Sequence, residues 1–254
     1  MSRKVMPVRD RLDRLLVARG LAESREQAGR LILAGAVKVQ GIRADKSSML
    51  VSVEATIEVA PRALPYVSRA GGKLAAALDT FGVDPAGLIT MDVGASTGGF
   101  TDCLLQRGAQ RVYAVDVGYG QLDWRLRQDP RVVILDRRNI RYLDRSEIAD
   151  SVAMAVIDVS FISLRTVLPS VMKFLDTSAV VIGLVKPQFE VGRDRVGRGG
   201  IVRDEALRTE AIDQVRAVAE TLGLEAIGKV DSPIVGQKGN REILVGWRAA
   251  GMHE

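Results

Sequence analysis

Seven short apolar runs between residues 89 and 247 constrain the fold of this chain more than any other feature. Each run holds four to six residues, rich in Val, Ile, Leu and Ala, and such runs predict buried strands. Helical patterns near residues 98–107, 163–175 and 204–222 separate several of them, which favours parallel strands joined by crossover helices. The predicted strands are residues 89–93, 112–115, 132–135, 153–157, 180–185, 226–230 and 243–247. The sequence therefore predicts an α/β fold with a doubly wound, seven-stranded sheet.

The last two predicted strands lack a helix between them. Residues 232–240 form the whole connection and contain Pro233, Gly236 and Gly239, which are turn-forming residues. Because a short turn joins antiparallel neighbours, we expect the last strand to run antiparallel.

A small α+β domain is predicted before the sheet. Leucines recur at helical spacing within residues 8–19, and Ser24 with Gln27 forms a capping signature for a second helix that ends at Gly35. Alternating segments near residues 37–39 and 56–59 predict short strands. Two prolines between residues 61 and 65 indicate a linker. The predicted division is a small domain at residues 1–60, a linker at 61–67 and a large domain at 68–254.

Charge and composition limit the functional classes. The net charge is +5, and the basic excess lies within residues 1–73, which indicates a polyanion-binding module, with a solvated charged surface as the alternative. Cys103 and His253 are the only cysteine and histidine, so disulfides and sites built from several of these residues are excluded. The longest apolar run, residues 179–185, is far shorter than the roughly 18–20 residues of a membrane helix. We expect no metal, no membrane partner, no secretory signal and a cytoplasmic location.

The small domain resembles an RNA-binding domain shared by a ribosomal small-subunit protein, certain pseudouridine synthases and bacterial tyrosyl-tRNA synthetases. The pattern runs from Arg11-Leu12-Asp13 through Ser24-Arg25 to the segment AGAVKVQG at residues 34–41. In that family the basic helix faces and the strand turn contact structured RNA. The resemblance implies RNA contacts at Arg14, Arg25, Arg30 and Lys38.

A loop of small residues follows the first predicted strand and opens a helix, the place where open α/β sheets bind nucleotide-like ligands. Its glycines are spaced differently from the dinucleotide fingerprint GxGxxG, which disfavours a nicotinamide cofactor. Asp116 and Asp136 end the next two strands, where carboxylates can accept hydrogen bonds from ribose hydroxyls and an adenine amino group. This combination favours S-adenosylmethionine (SAM). The predicted loop residues are Gly94, Ala95, Ser96, Thr97, Gly98, Gly99 and Phe100.

Four charged residues are predicted to converge at this edge of the sheet. Asp158 and Lys186 follow apolar runs, Glu242 begins the antiparallel strand, and Lys73 lies near the start of the helix before the first strand. Such a cluster suits methyl transfer to a hydroxyl, because lysines can stabilise or deprotonate the attacking oxygen while carboxylates orient them. Two unconnected surface salt bridges are the alternative.

The chain as a whole resembles the TlyA family of ribosomal RNA 2′-O-methyltransferases, whose large domain is related to FtsJ-type enzymes with a Rossmann-like sheet. The motifs that carry the resemblance are YVSR (66–69) before KL (73–74), DVGASTGGFTD (92–102), DVGYGQL (116–122), DVSFISL (158–164), VKPQFE (185–190) and GNRE (239–242). The resemblance places the family's Lys-Asp-Lys-Glu tetrad on Lys73, Asp158, Lys186 and Glu242. It implies cytidine in ribosomal RNA as the target and ribosomal subunits as partners. Ala70 and Asp136 depart from the family pattern, which has Gly and Glu there.

Residues 192–203 form a basic segment, and we expect Arg193, Arg195 and Arg198 to contact RNA phosphates, a disordered charged loop being the alternative. Phe161 is a candidate for stacking on a flipped-out base, with packing in the core as the other possibility.

Three other functions stay open. A base methyltransferase is one, since Asp158-x-x-Phe161 partly matches the DPP(Y/F) loop of such enzymes, although the prolines are missing. A non-catalytic ribosome-assembly factor or haemolysin is the second, and a nicotinamide-dependent oxidoreductase is the third.

Overall fold

The computed structural model divides into two compact units between Arg69 and Ala70. It describes residues 8–22, 24–33, 35–60, 65–236 and 239–250, and of Arg193 only the backbone. Residues 61–64 of the predicted linker and His253 lie outside the described part of the chain.

The first unit is the predicted small α+β domain. Its elements are β1 (Arg9–Arg11), α1 (Leu12–Ala18), α2 (Arg25–Leu33), β2 (Val37–Val39), β3 (Ile42–Arg43), β4 (Leu50–Ser52) and β5 (Ile57–Val59). Strand β1 pairs with β4, and β2 pairs with β3 and β5, in each case antiparallel. The fully buried side chains of Leu12, Leu16, Ala28 and Ile32 form much of its core.

The predicted start of the first helix, at residue 8, is wrong. Residues Arg9–Arg11 form β1 instead, where pairing with β4 occupies backbone groups that the first turn of a helix leaves without partners. Strands β3 and β4 were not predicted, because exposed Ile42 and Leu50 give no alternating apolar signal. The predicted cap of α2 is present, since Ser24 Oγ accepts a hydrogen bond from the Gln27 N–H at 3.1 Å.

A buried carboxylate ties the elements of the small unit together. Asp13 in α1 accepts hydrogen bonds from Arg11 Nε at 2.9 Å and from Arg25 Nη2 at 3.0 Å. The Arg11 guanidinium above all, with Arg25, holds the pKa of Asp13 well below its ordinary value despite burial. Asp13 therefore stays charged and links β1, α1 and α2.

The second unit is an α/β domain. Its strands are β6 (Ile89–Val93), β7 (Arg111–Asp116), β8 (Val132–Asp136), β9 (Val152–Ile157), β10 (Leu175–Val185), β11 (Leu224–Asp231) and β12 (Ile243–Ala249). Its helices are α3 (Ala70–Phe81), α4 (Gly99–Gln106), α5 (Trp124–Arg127), α6 (Leu164–Val171), α7 (Pro187–Glu190) and α8 (Glu205–Thr221).

These strands form one sheet in the order β11-β12-β10-β9-β6-β7-β8. Strand β12 is antiparallel to both neighbours, and the pairs among β10, β9, β6, β7 and β8 are parallel. The seven predicted strands and the antiparallel last strand are confirmed. Helices α3 and α4 pack together, as do α6 and α8. The strand order reverses at β6, because β7 and β8 lie on one side of it and β9 and β10 on the other. Such a reversal creates the crevice in which open α/β sheets bind ligands.

Helix boundaries differ from the prediction in two places. The helix predicted over residues 163–175 ends at Val171, because a 3-10 turn at Met172–Phe174 leads directly into the long strand β10. The short helices α5 and α7 were not predicted, since four residues are too few to show a helical period.

The start of α4 is held to the sheet by a buried acid. Asp92 in β6 is fully buried, and its Oδ2 accepts hydrogen bonds from the Thr101 N–H at 2.9 Å and from Thr101 Oγ1 at 2.7 Å. Burial raises the pKa of Asp92 to about 7, and the charge of Asp158 adds to the rise, against the opposing hydrogen bonds of Thr101. The carboxyl group is therefore costly to ionise in the folded state.

We predict that Asp92 makes the stability of this unit fall between acid and neutral pH. Its folded pKa lies above the ordinary value of about 3.9, so its contribution is present below about pH 4 and lost as pH rises through about 7. We compare the free energy of unfolding in urea of Asp92→Asn with that of the unaltered chain. Between pH 5 and pH 8 this difference should shift in favour of Asp92→Asn by about 1–4 kcal/mol. Exposed Asp213→Asn is the matched control. A difference between Asp92→Asn and the unaltered chain that does not vary with pH would contradict this prediction.

Candidate active site

One edge of the large sheet gathers the predicted functional residues. The parallel strands β6 to β10 end at this edge, and β12 begins there because Ile243 lies opposite Val185. Asp116 and Asp136 are paired at the ends of β7 and β8. The residues that follow β9 and β10 or precede β12 at this edge are Asp158, Lys186 and Glu242.

The four charged residues of the predicted tetrad form two ion pairs. Lys73 Nζ in α3 lies 2.5 Å from Glu242 Oε2, and Lys186 Nζ lies 2.6 Å from Asp158 Oδ1. Both lysines and Glu242 are buried, and the Asp158 side chain is 18% exposed. The structure thus brings each lysine to a carboxylate from a distant part of the sequence.

Such buried pairs are costly to assemble. Each ion loses several kcal/mol of hydration, which the partner only partly restores, and removal of one partner costs roughly 3–5 kcal/mol. Apolar residues of similar size would stabilise this edge at least as well. The stability of this edge therefore does not account for the four charges.

Two glycines leave room for close approaches to Asp158 and Glu242. Gly94 has φ +89°, and a Cβ on it would lie 2.5 Å from the carbonyl oxygen of Asp158, so only glycine allows β6 and β9 to end side by side. A Cβ on Gly236 would overlap the carboxylate of Glu242. Buried Asn240 then holds this turn, because its side chain accepts from the Val202 N–H at 3.0 Å.

The small-residue loop between β6 and α4 presents backbone to the crevice. Ser96 has φ +49°, and its N–H donates to Asp116 Oδ2 at 2.8 Å. Gly98 caps α4 with φ +92°. Phe100, predicted as a ligand contact, lies inside α4 and is only 2% exposed as a whole residue, so the structure does not present it to a ligand in the crevice.

The two strand-end acids are already partly engaged. Asp116 Oδ1 accepts from the Gly118 N–H at 2.7 Å, which orients the carboxylate at the end of β7. Asp136 Oδ2 accepts from the Gly120 N–H at 3.1 Å and from Arg127 Nη1 at 3.0 Å. The Arg127 pair was not visible in the sequence, because α5 itself was not predicted.

The predicted RNA-contacting residues of the small unit lie on its surface. Arg14 is 3.8 Å from Asp10, Arg30 is 3.0 Å from Glu26, and Lys38 is exposed on β2. Arg25 holds buried Asp13 and has a half-exposed side chain. Exposed ion pairs of this kind contribute only about 0–1 kcal/mol to stability. An RNA phosphate can therefore replace the carboxylates of Asp10 and Glu26 as the partner of these arginines.

The basic segment of the large unit is ordered around a short turn. Arg195 lies in a 3-10 turn and pairs with Glu210 at 2.7 Å. Arg198 is exposed between Gly197 and Ile201, which form an antiparallel bridge. The backbone of Arg193 lies in the same 3-10 turn, and its side chain is outside the description.

The loop after β9 holds features that sequence reasoning missed or left open. Ser160 Oγ accepts a hydrogen bond from Lys186 Nζ at 2.9 Å. Phe161 is 89% exposed, has φ +65° and lies 5.2 Å from the Phe189 ring, so it is not a core residue. Buried Glu190 accepts from Ser163 Oγ at 2.5 Å and from the Leu164 N–H at 2.8 Å. The sequence shows these residues, but it does not show that their loops meet.

No helix in the described ranges is both long and apolar enough to cross a membrane. Over those same ranges, no group of three or more His, Cys, Asp or Glu side chains is arranged to hold a metal ion.

Comparisons with known proteins agree on the family. The model of the FtsJ-like methyltransferase family matches residues 66–249, and that of the S4 domain matches residues 10–57. The 16S/23S rRNA (cytidine-2'-O)-methyltransferase TlyA of Mycobacterium tuberculosis is 47% identical over 94% of this chain and 90% of its own length. Hemolysin A of Brachyspira hyodysenteriae is 40% identical over 92% of this chain and 98% of its own.

The fold agrees as well. A solved structure described as a hemolysin from Streptococcus thermophilus is 43% identical, with a TM-score of 0.75 over 96% of this chain and 90% of its own. The resemblance to the TlyA family is thereby confirmed, and the chain belongs to that family, with an S4 domain followed by an FtsJ-like methyltransferase domain.

Proposed function

We propose that this protein transfers the methyl group of SAM to the ribose 2′-hydroxyl of a cytidine in ribosomal RNA. The observation that carries the proposal is the pair of buried lysine–carboxylate contacts at the edge where the small-residue loop also lies. The name of the M. tuberculosis relative specifies this reaction. A ribosomal RNA substrate also implies a cytoplasmic location.

The residues around the crevice fit SAM. The loop from Gly94 to Gly99 offers backbone and small side chains, so a ligand can approach it closely. Each oxygen of Asp116 accepts one backbone N–H and keeps a further lone pair for a ribose hydroxyl. Asp136 on the next strand can accept from an adenine amino group. When bound, SAM supplies an electrophilic methyl group.

Lys186 is assigned to the reacting oxygen. A ribose hydroxyl is a weak acid, so its attack on a methyl carbon requires help with the proton and with the negative charge on oxygen. Lys186 Nζ sits at the crevice edge, and Asp158 holds it in place. As a neutral amine it would accept the hydroxyl proton, and as an ammonium it would stabilise the negative charge on oxygen while the proton passes to solvent. SAM would supply the methyl carbon, and its carbon–sulfur bond would break as the oxygen–carbon bond forms.

Lys73 and Glu242 form the second wall of the site. Their contact joins α3 to the start of β12 beside Lys186. We assign them to holding the ribose in position. A charged pair at this place can hydrogen-bond the sugar hydroxyls and exclude other orientations of the sugar.

RNA is proposed to bind through both units. The S4 domain supplies Arg14, Arg25, Arg30 and Lys38, and the basic segment supplies Arg193, Arg195 and Arg198. Charge on these side chains positions the phosphate backbone, which leaves recognition of the target nucleotide to the crevice.

Base methylation is the main competing function. It would leave both buried lysines without a chemical role. The hemolysin names of two relatives suggest another activity, for which the described residues show no membrane-spanning helix.

We predict that the unaltered chain, given labelled SAM and isolated ribosomal subunits, places the label on a ribose. Lys186→Met should lower kcat roughly 100-fold or more, and Glu242→Gln should also slow the reaction. Lys229→Met, an exposed change on β11, is the matched control and should keep full activity. Label recovered on a base after nuclease digestion and mass spectrometry, or a Lys186→Met enzyme of normal rate, would contradict the proposal.

Phe161 gives a second prediction. Its exposed ring at the crevice rim suits stacking on an extruded base, an interaction worth about 1–3 kcal/mol. Phe161→Ala should therefore raise KM for RNA about 5- to 100-fold, whereas Phe161→Tyr should not, and calorimetric SAM affinity should be unchanged in both. Equal KM values for Phe161→Ala and the unaltered chain would exclude stacking.

The basic segment gives a third prediction. Replacement of Arg198 by Ala should weaken RNA binding and reduce the slope of log K against log salt by about 1. The control is Arg216→Ala on α8, where the arginine pairs with Glu220 on the same helix. If both variants keep the slope of the unaltered chain, Arg198 does not contact phosphate.

A further inference from the structure

Lys186 has a second partner that the tetrad does not include. Its Nζ donates a hydrogen bond to Ser160 Oγ at 2.9 Å, in addition to the contact with Asp158 at 2.6 Å. We propose that Ser160 is a positioning residue that fixes the orientation of Lys186 toward the reacting ribose oxygen. This inference rests on the proposed function, and it adds a residue to the machinery.

The geometry around Nζ explains the need for two partners. An ammonium group carries three N–H donors on a rotatable bond. With Asp158 alone, the group can turn about that contact. Asp158 gives an ionic contact and Ser160 a hydrogen bond, so the two partners together restrict the rotation of the amine.

The same geometry works for either protonation state. A charged Lys186 would point an N–H that Ser160 does not use at the substrate oxygen. A neutral Lys186 would point its lone pair there and could receive the proton of the hydroxyl. Ser160 can therefore orient Lys186 whether the charged or the neutral amine reacts.

A neutral acceptor suits this position. A second carboxylate beside Lys186 would add a charge to desolvate and would compete with the ribose oxygen for the lysine. The Ser160 hydroxyl is uncharged and lies on the exposed side, whereas Lys186 is only 8% exposed. The contact thus joins the buried amine to an exposed residue of the loop.

Both ends of the Ser160 loop are anchored. The Asp158 N–H donates to the Val93 carbonyl at 2.9 Å, and Glu190 holds Ser163 and Leu164 at the far end. Between them, Phe161 has φ +65°, a conformation that a non-glycine residue keeps only where its surroundings impose it. These contacts hold the loop in a form that brings Ser160 to Lys186.

The test compares three variants for methyl transfer to ribosomal subunits. Ser160→Ala should lower kcat about tenfold, with unchanged KM for SAM and RNA, and Ser160→Thr should restore most of the rate because it keeps the hydroxyl. Exposed Ser151→Ala, just before β9 and therefore at the opposite end of that strand from Ser160, is the matched control and should leave kcat within twofold. A normal kcat in Ser160→Ala, a Ser160→Thr variant as slow as Ser160→Ala, or an equal loss in Ser151→Ala would overturn the inference.

A second measurement does not depend on activity. Reductive methylation with formaldehyde, followed by mass spectrometry, reports how accessible each lysine amine is. Loss of the Ser160 hydroxyl should speed labelling of Lys186 severalfold and leave Lys73 unchanged. Identical Lys186 labelling in Ser160→Ala and the unaltered chain would overturn the inference, whereas absent methyl transfer by the unaltered chain would contradict the proposed function instead.

Discussion

The burial of two lysine–carboxylate pairs at one edge of a sheet is the interaction on which the rest of this structure depends. Charges lose hydration when they are buried, so each must meet its partner with good geometry. That requirement explains the glycine at residue 94, where the ends of β6 and β9 touch, and the glycine at residue 236, beside Glu242. It also explains the hydrogen bonds of Asn240, which hold the turn before β12.

The doubly wound sheet makes this arrangement possible. Parallel strands deliver their carboxyl ends to one edge, and the antiparallel β12 adds its beginning there. The loop after β6 and the acids of β7 and β8 lie on one side of the point where the strand order reverses. The Asp158–Lys186 pair, which follows β9 and β10, and Glu242, which precedes β12, lie on the other side. A nucleoside-bearing donor and a sugar acceptor are thus proposed to meet at the switch point, with the small unit available to hold the rest of the RNA.

Much of this could be predicted from the sequence, for identifiable reasons. Buried strands are recognisable as apolar runs, and the residue after each run lies at the binding edge, so the order of residues alone places Asp158, Lys186 and Glu242 there. The remainder depends on how separate loops meet. The Ser160 contact requires the unusual backbone of Phe161, the Asp136–Arg127 pair requires a four-residue helix, and β1 forms only because β4 pairs with it.

The central claim is that Lys186 acts on a ribose oxygen. The most direct measurement is a structure of this chain with S-adenosylhomocysteine and an RNA fragment that holds the target nucleotide. The account predicts a ribose 2′-oxygen within about 2.6–3.2 Å of Lys186 Nζ and in line with the sulfur. A base nitrogen or carbon in that place, with the 2′-oxygen turned away from Lys186, would contradict it.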